Sequence, residues 1–288
     1  MSKYTVDSLS LSHIGDLLRD RLGDNASQYL FPDDFEKAVV DIGFTGLVID
    51  GDSSPYDEII FIGNIADKMM RPISGSGNIA STNRYKKATF IGTTNIPSYT
   101  CVGQTNLTTV DFGSGGITSI GAAAFNGCTS LGGDMVLPAT VTTLGRTVFV
   151  NTAIESISGA GVTSIELSSA NNASIFTGCG NLKTVYFPKL TTVTGTTLRG
   201  PFLNCTALQT VQIGSVGYGV TSITAYAFQG CTQAFTITIY TTGGNVDTLV
   251  TNVRSSCANA TIVMKASADT TYDGTSYSAG DTIKTSTP

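Results

Sequence analysis

Six cysteines are the residues of this 288-residue chain best suited to chemistry, because thiols form disulfides, bind soft metals and act as nucleophiles. Four of them follow one another at intervals of 26 residues: Cys179, Cys205, Cys231 and Cys257. Cys128 precedes Cys179 by 51 residues, with Thr152 in the vacant position between them. Even spacing indicates one cysteine in each unit of a repeat, stacked in a buried column. We therefore predict reduced, inert thiols, with no disulfide and no metal or cofactor site.

Carboxylates offer a second kind of chemistry, since a glycosidase needs only two of them. The chain has a single histidine, and no pair of carboxylates beyond residue 100 is placed by the repeat at one position. The eight carboxylates of that region are Asp111, Asp134, Glu155, Glu166, Asp247, Asp269, Asp273 and Asp281. The acidic segment 50–57 lacks the glycine and the bidentate glutamate of a calcium loop, which favours a turn. We predict that the chain is not an enzyme.

Charge divides the chain into two parts. Residues 1–100 hold 9 Lys/Arg and 13 Asp/Glu, which leaves 7 and 8 for residues 101–288 out of totals of 16 and 21. The net charge of −5 and the pI near 4.8 argue against a nucleic-acid partner, which favours basic surfaces. No apolar run reaches the ~20 residues that span a bilayer, so membrane insertion is not expected.

The cysteine spacing belongs to a longer repeat. A phenylalanine lies three residues before four of the cysteines, in the pairs Phe125 and Cys128, Phe176 and Cys179, Phe202 and Cys205, and Phe228 and Cys231. A strand pattern of the form L-x-x-L-x-L follows, as in Leu182-Lys-Thr-Val-Tyr-Phe187 and Leu208-Gln-Thr-Val-Gln-Ile213. A second short apolar element, such as Gly219-Val-Thr-Ser-Ile223, precedes the phenylalanine. Because one such unit cannot bury its apolar face alone, the units must stack.

These elements predict a mainly β fold, a leucine-rich-repeat solenoid of five to six units of about 26 residues. We place the solenoid at residues 96–264, after a β-rich connector at 46–95 and a small two-helix module at 1–45. A C-terminal β cap or tail follows at 265–288.

The repeat resembles the BspA-like (Treponema-type) leucine-rich repeats. The resemblance rests on Ile120-Gly-Ala-Ala-Ala-Phe-Asn-Gly-Cys-Thr-Ser-Leu131 and Ile223-Thr-Ala-Tyr-Ala-Phe-Gln-Gly-Cys231, and it covers about residues 100–262. That family occurs in adhesins, in surface proteins of bacteria and protozoa, and in phage genomes. The resemblance implies binding and leaves the ligand open.

The N-terminal module is predicted to dock onto another surface. Two short helices are expected, each with one apolar stripe, and together they are too small to hold a core alone. The stripes contain Leu11, Ile14 and Leu18, and then Phe31, Phe35 and Val39. The stretch from Ile14 to Gly23, followed by Phe31-Pro-Asp-Asp-Phe-Glu-Lys-Ala-Val39, resembles the start of many phage tail and minor structural proteins of Gram-positive hosts. Leu17-Leu18 departs from that pattern, which has Ala-Ile there.

The binding face is predicted from the polar positions of the strand pattern, which point outward on the concave side. Down the stack they are Thr109, Asp111, Thr184, Tyr186, Thr210, Gln212, Thr236 and Thr238, with Lys183 and Gln209 at the rim. Hydroxyls, an amide and one aromatic ring suit a neutral glycan. The competing explanation is that threonine simply favours strands, with binding at loop tips or absent.

These features favour a phage virion structural protein, of the tail-fibre, baseplate or head-fibre type, that displays the solenoid for binding to the host surface. Its expected partners are other virion proteins, through residues 1–45, and a host-surface glycan or protein. We expect a homo-oligomer, and a trimer in particular. No secretion signal is visible at the start of the sequence, which favours a protein made in the host cytoplasm and released by lysis. A bacterial cell-surface adhesin and a purely architectural decoration protein remain open alternatives.

Overall fold

The computed structural model describes residues 47–50, 58–63, 85–113, 116–165, 174–193 and 200–285. Short strands dominate these residues, with one α-helix, α1, at Val246–Ser256. The strands are β1 Leu47–Asp50, β2 Glu58–Ile62, β3 Lys87–Ile91, β4 Asn95–Ile96, β5 Thr109–Asp111, β6 Ser119–Ile120, β7 Gly132–Val136, β8 Thr143–Leu144, β9 Ala153–Ser158, β10 Ser164–Ile165, β11 Thr184–Phe187, β12 Thr192–Val193, β13 Thr210–Ile213, β14 Ser222–Ile223, β15 Thr236–Thr241, β16 Thr261–Ala266, β17 Thr270–Tyr272, β18 Thr275–Tyr277 and β19 Thr282–Ile283.

Strands β11 and β13, which carry the L-x-x-L-x-L pattern, lie in the long sheet of the molecule, whose order is β19-β16-β15-β13-β11-β9-β7. Neighbours from β7 to β16 are parallel, because each strand belongs to one repeat and the chain returns to the same side before the next. A smaller sheet, β1-β2-β3-β5, precedes it, and its strands β2, β3 and β5 are also parallel. The predicted connector therefore contributes strands to the same kind of parallel ladder as the solenoid.

The second apolar element of each repeat forms a separate side of the solenoid. Strands β4, β6, β8 and β10 are parallel neighbours, and β12 pairs with β14. A threonine just before several of these strands donates its hydroxyl to the carbonyl of the threonine one repeat earlier. The O···O distances are 3.1 Å from Thr118 to Thr94, 3.2 Å from Thr142 to Thr118 and 3.3 Å from Thr163 to Thr142. These bonds explain why the motif keeps threonine at this exposed position.

Stacked phenylalanines run through the core. Ring centroids of successive residues lie 4.9–6.4 Å apart along the series Phe61, Phe90, Phe125, Phe149, Phe176, Phe202, Phe228 and Phe235. Most of these pairs are parallel and one is edge-on, which are both favourable aromatic geometries. The repeat thus stacks identical side chains, and burial continues without a break from one unit to the next.

The turn before the cysteine needs a left-handed backbone. The residue in this position has a positive φ in Gly127, Asn151, Gly178, Asn204 and Gly230, with values between 56° and 78°. Glycine and asparagine are the residues that adopt this conformation at least cost, so they alternate at this position. A Cβ at Gly230 would also collide with Oδ1 of Asn204 in the preceding repeat.

The predicted class, a mainly β leucine-rich-repeat solenoid, is confirmed. The helix α1 was not predicted, although Val246, Leu249, Val250 and Val253 carry its buried face at helical spacing. Cys257 keeps the 26-residue phase after the helix, so this segment was interpreted as another ordinary repeat. Residues 1–45, with the two expected helices, lie outside the described residues.

An antiparallel strand forms one edge of the smaller sheet and one edge of the long sheet. In the smaller sheet β1 pairs with β2, and in the long sheet β19 pairs with β16 through Ile283 and Met264. Between β16 and β19, the hairpin of β17 and β18 adds a hydrogen bond of 2.6 Å from the Tyr272 hydroxyl to Asp247 on α1. An open strand edge invites pairing with another chain, and β19, with two residues, offers little backbone for such pairing.

Candidate functional site

The outward-pointing side chains of the long sheet form two rows, which together we call the outer face. Strand pairing aligns Thr184 with Thr210 and Thr210 with Thr236, and it aligns Tyr186 with Gln212 and Gln212 with Thr238. The sequence-predicted residues are thus neighbours on adjacent strands, which lie about 4.8 Å apart. The rows continue in β16 with Thr261 and Val263.

Alternating burial holds these side chains outward. In β11 the inward residues Val185 and Phe187 are buried, and Tyr186 between them is 40% exposed. In β13 Val211 and Ile213 are buried in the same way on either side of the half-buried Gln212. A slip of one residue would expose the apolar set to water, so the hydrophobic core fixes the register of the outer face.

The rows begin elsewhere than the sequence suggested. Thr109 and Asp111 lie on β5, which pairs with β3 in the smaller sheet and not with a strand of the long sheet. The first residues of the rows are instead on β7 and β9, with Asp134 aligned to Ser156 and Val136 to Ser158. The reason is local: β7 starts with Gly132-Gly133 and carries a bulge after Gly133, which departs from the L-x-x-L-x-L pattern.

Charges near the outer face are mostly neutralised. The Lys183 ammonium lies 2.6 Å from the Glu155 carboxylate, and Ser156 donates a 2.6 Å hydrogen bond to Asp134. Gln209, predicted at the rim, lines a shallow depression at the amino ends of the strands. The other residues of this depression are Thr206, Ala207, Thr232, Gln233 and Ala234. The surface therefore presents hydroxyl and amide groups more than net charge.

Two tyrosine–lysine pairs at the carboxyl ends of the strands were missed by the sequence analysis. The Lys189 ammonium lies 5.7 Å from the ring centre of Tyr218, and the Lys265 ammonium lies 5.9 Å from that of Tyr240. Tyr240 and Lys265 extend the outer face by one further position, since they are aligned across β15 and β16. That position lies beyond the last residue of the L-x-x-L-x-L pattern, where the prediction stopped.

The cysteines lie in the core. All six are free and buried, and the thiols of Cys205 and Cys231 each donate a hydrogen bond to the phenylalanine carbonyl of the preceding repeat, at 3.3 Å and 3.2 Å. Thr152 occupies the vacant position and its hydroxyl lies 3.3 Å from the Cys179 sulfur. Burial raises the pKa of the Cys128 and Cys231 thiols from 9.0 to about 12. Such thiols stay protonated at neutral pH and are poor nucleophiles.

The described carboxylates make local structural contacts. Asp111 is 3.7 Å from Lys87 and accepts a hydrogen bond from the backbone of Gly113, and the Asp269 and Asp281 carboxylates accept bonds from the backbone N–H groups of Ala279 and Ser278. Within the described residues, no group of three or more His, Cys, Asp or Glu side chains is placed to hold a metal ion. The predicted docking residues and the acidic segment 51–57 lie outside the described residues.

Stacked turns, parallel register and one aromatic core residue per repeat define the class of the molecule as a leucine-rich-repeat solenoid. The BspA type Leucine rich repeat region matches the chain in six copies, over residues 94–234 and 197–280. The chain belongs to this BspA-type leucine-rich-repeat family. No helix in the described part of the chain is both long and apolar enough to cross a membrane.

Two solved leucine-rich repeat proteins match part of the chain. The protein from Bacteroides ovatus ATCC 8483 is 16% identical with a TM-score of 0.36, and the similarity covers 68% of this chain and 64% of that one. The protein from Eubacterium ventriosum ATCC 27560 is 16% identical with a TM-score of 0.32, covering 64% of this chain and 68% of that one. The chain thus spans less than two thirds of the first relative's length. No curated protein sequence matches the chain significantly.

Proposed function

We propose that this protein is a binding protein without catalytic activity that presents the outer face of its long sheet to a glycan on a host-cell surface. The observation that carries this proposal is the aligned register of Thr184, Thr210 and Thr236 beside Tyr186, Gln212 and Thr238. Glycans present many hydroxyl groups on an apolar ring, so they are bound by hydrogen-bonding rows beside an exposed aromatic ring.

We propose further that the protein is a structural component of a bacteriophage virion. This part rests on the resemblance of residues 14–39 to the start of phage tail proteins and on the small, weakly charged display domain that follows. In this arrangement residues 1–45 bind other virion proteins, the solenoid points outward, and the protein assembles as an oligomer, for which a trimer is the simplest spike.

Binding to host cell-wall fractions and to a glycan array tests the proposal. The wild type should bind, and the double variant Tyr186→Ala/Gln212→Ala should bind roughly tenfold more weakly, because it loses ring stacking and an amide contact. The matched control is Thr192→Ala/Ser222→Ala, which removes exposed polar groups from the second sheet at β12 and β14. Equal binding by wild type and the Tyr186→Ala/Gln212→Ala variant would show that the outer face is not the site.

A further inference from the structure

Two tyrosine–lysine pairs are neighbours at the carboxyl end of the long sheet, and we call them the tyrosine–lysine edge. Lys189 follows β11, Tyr218 follows β13, Tyr240 lies in β15 and Lys265 lies in β16. These are consecutive strands of the sheet, so the edge extends over about 14 Å across three strand spacings. An elongated ligand could therefore contact both pairs at once.

A bend at residues 215–218 brings the first pair to this edge. The Ser215 hydroxyl donates a 2.8 Å hydrogen bond to the Pro188 carbonyl, and the Gly217 N–H donates a 2.7 Å bond to the Ser267 carbonyl. The bend is thereby tied to the turns on both sides of it. It leaves Val216 54% exposed and Tyr218 39% exposed, although both are large apolar side chains. Rigid, exposed aromatic rings are suited to binding because little conformational entropy is lost on contact.

The lysines at this edge are not neutralised by acidic side chains. Within the described residues neither ammonium has a carboxylate oxygen within 4.0 Å, whereas Lys183, at the other end of β11, is paired with Glu155. Lys265 donates a 3.4 Å hydrogen bond to the Gly280 carbonyl and lies over Tyr240. The carboxylates of Asp269 and Asp281 in the adjacent turn accept hydrogen bonds from backbone N–H groups. Lys189 and Lys265 thus place two cations on one edge of the long sheet, each beside a tyrosine ring, of which Tyr218 is exposed and Tyr240 half-buried.

We infer that the tyrosine–lysine edge binds an acidic polysaccharide, with sugar rings packed on Tyr218 and Tyr240 and anionic substituents paired with Lys189 and Lys265. This inference rests on the proposed function and narrows its ligand from a glycan in general to an anionic one. The outer face supplies hydroxyl and amide contacts along the sugar chain. The lysines of the tyrosine–lysine edge favour sugar chains that carry anionic substituents over neutral ones. Carboxylate and phosphodiester substituents share the required chemistry, since a lysine binds either as a point charge.

Binding of three oligomeric probes to the full chain tests the inference: an oligogalacturonate, a glycerol phosphate oligomer substituted with glucose, and a neutral maltohexaose. At least one anionic probe should bind more tightly than the neutral one, and its affinity should fall as salt is raised, because exposed ion pairs are screened. The Lys189→Gln/Lys265→Gln variant should bind that probe roughly fivefold to tenfold more weakly. The anionic probe that binds identifies the substituent as carboxylate or phosphodiester.

The matched control is Lys86→Gln/Arg146→Gln, which removes two positive charges from exposed residues away from the edge. Its affinity for the anionic probe should equal that of the wild type, which separates the edge from a general charge effect. Unchanged anionic binding in the Lys189→Gln/Lys265→Gln variant, or preference for the neutral probe, overturns the inference and leaves the proposed glycan-binding function standing. Failure of all three probes and of a wider glycan array to bind would overturn both.

Discussion

Five of the six buried thiols donate a hydrogen bond to a backbone carbonyl of another repeat. The thiols of Cys179, Cys205 and Cys231 donate to the phenylalanine carbonyl one repeat earlier, at 2.9–3.3 Å, and Cys128 donates to the Cys101 carbonyl at 3.0 Å. Cysteine fits this position because it is small, apolar and able to donate one weak hydrogen bond. Thr152, which donates to the Phe149 carbonyl of its own turn at 2.9 Å, shows that a hydroxyl can replace the thiol.

Thiol labelling tests this assignment. Only the thiolate reacts, and burial raises the pKa of Cys231 to about 12, so the Cys231 thiol should be both inaccessible and protonated at pH 8. A maleimide probe should label the six cysteines no faster than the protein unfolds, and all six should react at once in denaturant. The positive control is Thr232→Cys, since Thr232 is exposed one residue after Cys231. Rapid labelling of any wild-type cysteine in the native protein would refute the assignment.

At the scale of the element, the left-handed residue before Cys128, Cys179, Cys205 and Cys231 controls how one turn stacks on the next. Gly230 has a φ of 78°, and a Cβ there would meet Oδ1 of Asn204 in the turn below. The residue at position 230 must therefore adopt a positive φ and must have no Cβ that meets the preceding repeat. Glycine satisfies both requirements. Asparagine adopts the positive φ, as Asn204 does with a φ of 59°.

The substitution Gly230→Ala should lower the free energy of unfolding by about 1–2 kcal/mol from the left-handed backbone alone, with an added cost from the collision. The matched variant Asn204→Gly keeps the backbone accessible and removes the side chain that would collide, so its effect should stay within about 1 kcal/mol. Denaturant titration of both variants measures the difference. Equal stability of Gly230→Ala and wild type would mean that this turn does not control stacking.

The elements that the sequence predicted are those set by repeated residues. Strand β11 could be predicted because the spacing of the buried residues in it and just before it recurs one repeat later. These residues are Leu182, Val185 and Phe187, and their counterparts are Leu208, Val211 and Ile213. The tyrosine–lysine edge could not be predicted in this way, because the contact of Tyr218 with Lys189 depends on a bend at residues 215–218 that is not part of the L-x-x-L-x-L pattern.

The helix α1 could have been recognised from the spacing of Val246, Leu249, Val250 and Val253, which is helical. The helix was overlooked because Cys257 keeps the 26-residue spacing of the cysteines. A regular cysteine spacing fixes the length of the repeat but does not determine whether the residues between two cysteines form a strand or a helix. The first strands of the outer face were also missed. In β7 the bulge after Gly133 shifts the buried residues out of the regular spacing, and β9 belongs to the repeat that has Thr152 in place of the cysteine.

At the scale of the molecule, the residues that stabilise the fold are different from those of the outer face. The solenoid stacks its repeats through buried columns of phenylalanine and cysteine side chains. Its core therefore does not require a partner chain to fill it, and the outer face is left for binding. Residues 1–45, with their predicted apolar stripes, are the proposed attachment to the virion.

Deletion of residues 1–45 should leave a folded solenoid, because the phenylalanine stack from Phe61 to Phe235 is retained. The truncated protein should show the same β-rich circular dichroism spectrum and the same cooperative unfolding as the full chain, but it should fail to enter virions. Circular dichroism measures folding, and protein analysis of purified particles measures incorporation. Normal incorporation of the truncated protein would refute the docking role of this module.

Competition for adsorption tests the central claim most directly, because it requires both display on the virion and binding by the outer face. The purified wild-type chain, added to host cells, should reduce adsorption of virions that carry the protein in a dose-dependent manner. The Tyr186→Ala/Gln212→Ala variant should compete roughly tenfold less well, and the Thr192→Ala/Ser222→Ala control should compete as the wild type does. Equal competition by wild type and the Tyr186→Ala/Gln212→Ala variant, or no competition by the wild type at any dose, would contradict the proposed function.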